Sequence, residues 1–262
     1  MKDSNFLWKI INLCALTMTV AVNALADIIP IGGLTTKEVS DLYPTFVTPT
    51  GITFAIWGLI YALLGFVLVS EAFMRNSETT SRMSFLFLAT CLLNIAWIFT
   101  WHFKLIATSF VVILALWLCL LFLTQRTENS RKSARIAFEI YFAWVTAATV
   151  VSLNIMLANI LPGLHLRNNA MFMMIISLTG LFAYAIVRLI VNRDVVFSAV
   201  TAWVLWGVFV SHYKTGYNGM YPFAVVFSLV SAILMTLVFV HVTAAKMRGC
   251  TCCSRTPKCF RD

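Results

Sequence analysis

Three sets of side chains recur at helical spacing inside apolar sequence: Phe54, Trp57 and Tyr61; Asn94 and Trp97; Tyr141, Trp144 and Ala148. Residues three or four apart share a helix face, so each set can turn one way into a bundle. Large rings with a few hydrogen-bonding tips suit one task above others: holding a flat apolar molecule while an amide orients its polar edge. The same pattern also serves core packing, and an intramembrane Asn is often interhelical glue, so both readings stand at this point.

Other chemistry finds little support. Every Lys lies at the end of an apolar run or in a break, which excludes a retinal-type lysine deep in a helix. His102, His165 and His212 gather at one boundary and His241 at the other; they read as interfacial residues rather than paired haem ligands. No phosphate loop, nucleophile elbow or zinc-protease motif occurs, and neither catalytic residues nor a metal-ligand set are assigned. Glu139, near the cytoplasmic end of its run, reads as an interfacial carboxylate rather than a proton relay. Asn12, Asn23, Asn154 and Asn159 complete the polar census within apolar sequence, where each needs a partner.

The elements that carry these residues follow from composition. Of 262 residues 61% are hydrophobic and 11% charged, far from the balance of soluble domains. A span needs roughly 20 apolar residues to cross about 30 Å of hydrocarbon. The sequence predicts an all-α polytopic membrane bundle of about eight transmembrane helices, at Phe6 to Ala26, Thr50 to Ala72, Phe85 to Trp101, Ile106 to Leu123, Ala137 to Ile160, Ala170 to Ile190, Val195 to Ser211 and Pro222 to Val242. The weakest break, Trp101 to Leu105, holds only His102 and Lys104, yet one helix across it would far exceed a bilayer, so a tight hairpin is expected.

Charge orients the spans. With the N-terminus inside, fifteen of the nineteen Lys and Arg fall in cytoplasmic segments, and the outer loops hold only Lys37, Lys104, Arg167 and Lys214. Both termini are therefore expected in the cytoplasm, and a bacterial inner membrane fits this bias best. The net charge of +9 reads as topology and attraction to anionic lipid, not as a nucleic-acid footprint. Lys2, Lys9 and Ala24-Leu25-Ala26 also fit a cleaved secretory signal, which would leave seven spans.

The longest outer loop, from Asp27 to Pro49, contains a turn at Pro30 to Gly33 and then a short capped helix ending near Pro44; it is a candidate lid, with a disordered connector as the default reading. Cys250, Cys252, Cys253 and Cys259 crowd a basic tail that is open to three readings: reduced and solvated, acylated, or binding a soft metal.

The stretch PTFVTPTGITFAIWGLIYALLG, from Pro44 to Gly65, resembles the TspO/MBR family, tryptophan-rich sensory proteins related to the mitochondrial translocator protein. Pro44, Pro49, Trp57, Gly58, Tyr61 and Gly65 fit its spacing without a gap. LLNIAW, with Asn94 and Trp97, is similar to the family's third helix, and IYFAWVTAAT, with Tyr141 and Trp144, to its fifth; Asn159 fits a downstream Asn. The resemblance covers roughly residues 6 to 160 and supports a true first helix. Phe46, Thr48, Thr90 and Ile140 depart from the family pattern, and Leu153-Asn154 falls two residues late.

The resemblance implies a five-helix core over residues 1–162 with loop 27–49 as lid, three additional helices over 163–245 and a tail over 246–262. It implies a pocket for porphyrin or sterol-like molecules lined by Trp57, Tyr61, Asn94, Trp97, Tyr141 and Trp144, with Phe54, Pro44 and Pro49 beside it. No cofactor is firmly implied, a porphyrin being a candidate ligand. The expected partners are thus a hydrophobic small molecule and the lipid bilayer, with no nucleic acid. A small-residue face with Gly58 and Gly65 permits close helix approach within the chain or in a homodimer. The rival readings are a transporter using the extra helices, against which stand few paired charges in the spans and no evident inverted repeat, and a porphyrin-degrading enzyme.

Overall fold

In a computed structural model of the chain, residues 2–72, 81–127, 130–161, 163, 167–216 and 222–253 are described. His165, Cys259 and the side chains of Cys250, Cys252 and Cys253 lie outside the described part, and with them the readings of the cysteine tail. Among the described residues the regular structure is helical: α1 (Lys2–Ile28), α2 (Thr36–Asp41), α3 (Ile56–Ala72), α4 (Ser81–His102), α5 (Ile106–Arg126), α6 (Lys132–Ile160), α7 (Arg167–Val191), α8 (Val195–Gly216) and α9 (Pro222–Cys253), with short 3₁₀ turns at Ile31–Gly33 and Gly51–Ala55.

Eight of these helices are long and apolar enough to cross a membrane, and their limits fall within a few residues of those read from sequence, except that the fifth begins at Lys132. Their outer faces carry Leu59, Phe66, Phe122, Ile190 and Val226 in the open. A helix apolar on every face has no stable place in water, so these surfaces belong in lipid and the chain is an integral multi-pass membrane protein.

The expected hairpin is present, since α4 stops at His102 and α5 starts at Ile106. Leu105 N donates to Thr100 O at 2.9 Å and Lys104 N to Trp101 O at 2.9 Å, while Lys104 takes φ 58°. This is the Schellman arrangement, with a lysine in the left-handed position usually held by Gly. Because spans alternate, α1, α4, α6 and α8 all end where α2 lies; this is called the lid end below.

Helix α6 is the hub, packed against α3, α5, α7 and α8, and α8 in turn packs on α7 and α9. The α6 and α8 spans are 61% and 56% buried, against 22% for α1, α7 and α9. Of the last three helices, α8 therefore shares the interior of the bundle, while α7 and α9 pack around it. Among the described residues nothing lies within 4 Å of where a Cβ would stand on Gly58 or Gly65, so the close approach they permit is not made there.

The end of the bundle opposite the lid corrects two sequence expectations. Glu139 is buried, not interfacial, and accepts a 2.7 Å hydrogen bond from Arg188 Nη2, which also donates to Asp194 Oδ2 at 2.7 Å. Arg188, counted among the cytoplasmic charges, is itself only 7% exposed, with its guanidinium 5.2 Å from the Phe142 ring and 5.6 Å from that of Phe197. Asp194 Oδ1 accepts from Phe197 N at 2.9 Å, so one carboxylate both holds the arginine and caps α8. Three elements, α6, α7 and the start of α8, are tied by charges that would be costly to bury alone.

Candidate functional site

The aromatic faces do meet. Trp57 lies at the centre, stacked on Tyr61 with centroids 5.6 Å apart at 18° and tilted against Trp97 at 6.0 Å. It meets the edges of Tyr141 at 5.9 Å and Trp144 at 6.1 Å. Phe54 adds an edge contact to Trp144 at 5.6 Å, and Trp97 stacks on Trp101 at 6.0 Å. Edge and offset-stacked pairs within 7 Å are the favoured geometries for aromatic rings, so α3, α4 and α6 are joined largely by ring contacts here.

Asn94 acts as the polar knot behind this cluster. Its Oδ1 accepts from Asn23 Nδ2 at 2.7 Å and from Tyr61 OH at 3.5 Å, and its Nδ2 donates to Tyr141 OH at 3.1 Å. Asn23 in turn donates to Thr19 O at 2.9 Å, so one fully buried amide links α1, α3, α4 and α6. Both amide ends are occupied by protein, which is the interhelical-glue role expected of an Asn in a membrane.

The lid closes over the rings. The turn Gly32-Gly33, at φ 71° and 83°, reverses the chain after α1. Thr35 and Glu38 form a capping box for α2, and Asp27 Oδ1 accepts from Thr36 N at 3.0 Å. Burial of Val39 and Ser40, with a 3.1 Å bond from Trp101 Nε1 to Thr36 O, fastens α2 to α4. Backbone bonding to Thr35 holds the exposed Glu38 carboxyl below its ordinary pKa, so the cap is made by the charged form.

Helix α8 supplies the remaining wall. Thr50 N donates to Gly207 O at 3.0 Å, Trp203 Nε1 to Thr53 O at 3.2 Å and His212 Nε2 to Phe46 O at 2.6 Å. Gly207 is required by this approach: a Cβ there would overlap Thr53 Oγ1 and stand 3.0 Å from Pro49 Cβ. His102 and His212 are both buried against backbone carbonyls, which corrects their reading as interfacial residues.

Between these walls lies an almost wholly apolar gap of about 30 Å³, bounded by Phe54, Trp57, Trp97, Trp101 and Trp144 with Pro49, Ser40 and Val204. Such a gap has room for about one water. Three residues of its wall each carry a buried polar atom that has no hydrogen-bond partner among the described residues: Trp97 Nε1, Trp144 Nε1 and Ser40 Oγ. Unpaired buried donors each cost about 1–3 kcal/mol, and an indole N–H can only donate, so the residues around the chamber hold hydrogen-bonding capacity that the protein does not use. Beside it, an open cleft of about 500 Å³ between α1, the lid and α3 shares Thr36, Phe54 and Trp57 with the chamber and is further lined by Tyr61, Asp27 and Gly58.

Of the nine residues singled out from sequence, Phe54, Trp57, Trp97, Trp144 and Pro49 border the chamber. Tyr61 borders the α1 cleft, Tyr141 packs edge-on behind Trp57, Asn94 lies in the knot, and Pro44 lines a different cavity. Asn159 is exposed at the end of α6, away from the rings. Sequence reading missed Ser40, Trp101 and Val204. Trp101 stands one turn beyond Trp97 and was within reach of the same spacing rule, whereas nothing local marks Ser40 or Val204.

The fold and the chamber together define a class: a multi-pass membrane helix bundle with an internal aromatic chamber beneath a lid. The family model for TSPO-like protein matches residues 9–242, and the chain belongs to that family. The match runs through α7 and α8 and well into α9, beyond the residues that carry the motif resemblance. Comparison with curated proteins and with solved structures gives no match.

Proposed function

We propose that this protein binds a tetrapyrrole or similar flat hydrophobic molecule in the aromatic chamber at the lid end, in a sensory or regulatory role. The observation that carries the reading is the pairing of stacked aromatic walls with three buried hydrogen-bonding groups that lack partners. A ligand with acceptor atoms at its edge, such as the carboxylates of a porphyrin, would meet those groups while its plane lies on the rings. The gap of about 30 Å³ is closed to such a molecule. Turning Phe54 and Trp57 aside would join it to the cleft of about 500 Å³, which is in the range of small-molecule sites.

On the charge bias we place both termini on the cytoplasmic side of a bacterial inner membrane. The outward Gly58 and Gly65 make α3 the helix we assign to a homodimer contact. A transporter and a porphyrin-degrading enzyme stay as the rival activities; ligand-dependent flux in liposomes or light- or oxygen-dependent product formation would select them.

The test is quenching of tryptophan fluorescence by protoporphyrin in the purified protein, for the wild type, Trp144→Phe and Ser40→Ala. Saturable quenching is expected. Each substitution removes one hydrogen bond of about 1 kcal/mol, and so weakens binding roughly fivefold. Saturable binding that neither substitution changes would place the ligand elsewhere and defeat the proposal.

A further inference from the structure

A second cavity, of about 430 Å³ and open on one side, lies at the lid end, lined by the lid, α6, α7 and α8. It is much roomier than the aromatic chamber and differs from it in chemistry. Its floor is apolar, with Phe46, Ala158, Ala170 and Met173, and its polar lining includes Thr48, Asn154 and His212. Ser40, buried and unpartnered, borders both spaces and is the one side chain common to their walls.

Two acceptor atoms in this lining are left without a donor among the described residues. Asn154 makes both of its hydrogen bonds through Nδ2, to Val150 O at 2.8 Å and Ser177 Oγ at 2.8 Å, which leaves Oδ1 to a guest. The 2.6 Å contact of His212 Nε2 with Phe46 O requires the proton on Nε2, because a carbonyl only accepts, so a neutral ring keeps Nδ1 as an acceptor. Thr45 and Thr48 are bonded to one another at 2.8 Å. The charges at the rim cancel, since Lys37 and Asp41 form an ion pair one turn apart. An ionised guest would lose hydration in such a place without gaining a counter-charge.

We propose that this cavity is a second binding site, taking an uncharged amphiphile that donates a hydrogen bond, a hydroxyl-bearing molecule, with its head on Asn154 and His212 and its apolar part along Met173 and Ala170. The site stands apart from the aromatic chamber in carrying the Asn154 and His212 acceptors, shares only Ser40 with its lining, and does not depend on the chamber's ligand. Two of its four walls come from α7 and α8.

The test uses the full chain in phosphatidylcholine vesicles and a photoreactive probe, a ten-carbon alcohol with a diazirine in its chain, beside the matching carboxylic acid. Adducts mapped by mass spectrometry are expected to concentrate on the lid-end turns of α6 and α7 and to be displaced by excess 1-decanol. Filling the cavity with Ala170→Phe should cut this labelling at least fivefold, the acid should label it at least fivefold less than the alcohol, and the melting temperature should stay near wild type. If that variant fails to fold, Ala158→Phe fills the same space from α6. Labelling that 1-decanol does not displace, that persists in a folded cavity-filled variant, or that is equal for alcohol and acid would overturn the proposal.

Discussion

The two ends of the bundle handle buried polarity in opposite ways. Away from the lid, Arg188 is clamped through Nη2 between two carboxylates and lies against two aromatic rings, with its Nε left unpaired, and Asp194 spends its second oxygen on the start of α8. At the lid end, two indole N–H groups and a serine hydroxyl are buried without partners beside open space. A polar group left unpaired costs stability wherever it is, and the three beside the chamber are the ones our proposed ligand would satisfy. One end holds three helices in place, and the other is where we propose that a ligand binds.

The largest effect that should separate the ends comes from Arg188→Met, which leaves Glu139 and Asp194 buried and facing one another. The expected loss is about 3–5 kcal/mol in thermal or denaturant unfolding in detergent. Adding Glu139→Gln and Asp194→Asn should restore much of it, and a triple variant no more stable than the single one would break the account of that end. Next is Gly207→Ala, which pushes α8 away from Thr53 and Pro49. Overpacking of this kind costs about 1–3 kcal/mol, and Gly207→Ala combined with Thr53→Ala should recover part of it in the same melts.

Asn94→Leu sharpens the comparison within the lid-end half. Losing the knot should cost about 0.6–1.7 kcal/mol of stability, the range for membrane interhelical hydrogen bonds. Its effect on protoporphyrin affinity should be smaller than that of Trp144→Phe, because Asn94 borders none of the cavities described. The smallest effect belongs to Glu38→Gln in the capping box. The folded-state pKa of Glu38 lies below its ordinary value, so its contribution is present above that value and fades as pH falls through the lowered one. Hydrogen exchange of the α2 amides should therefore quicken slightly in the variant at neutral pH and match wild type in strong acid.

The spans were legible because length and apolarity alone set them, and the tight hairpin followed from what a bilayer can accommodate. Trp57, Trp97 and Trp144 were legible because helical spacing puts them on faces, and a motif resemblance then aligned those faces. Pairings distant in the chain left no local trace. Glu139 and Arg188 are 49 positions apart, and Trp203 bonds a carbonyl 150 positions away, so nothing beside either residue shows that it is paired. Gly207 reads as an ordinary glycine in an apolar helix until the 3₁₀ turn at Gly51–Ala55 is seen against it. Asn94 allowed two readings, pocket wall or glue, and only the positions of Asn23 and Tyr141 distinguish them.

The central claim concerns the unpartnered indoles, and the most direct measurement follows them by nuclear magnetic resonance in the tryptophan-labelled chain as protoporphyrin is added. Of the eight tryptophans, Trp101, Trp117, Trp203 and Trp206 already donate to protein oxygens. The account predicts that the indole N–H signals of Trp97 and Trp144 move downfield as they gain an acceptor, saturating with the binding curve, while those four keep their bonds and shift less. Saturable binding that leaves the Trp97 and Trp144 signals in place would contradict it.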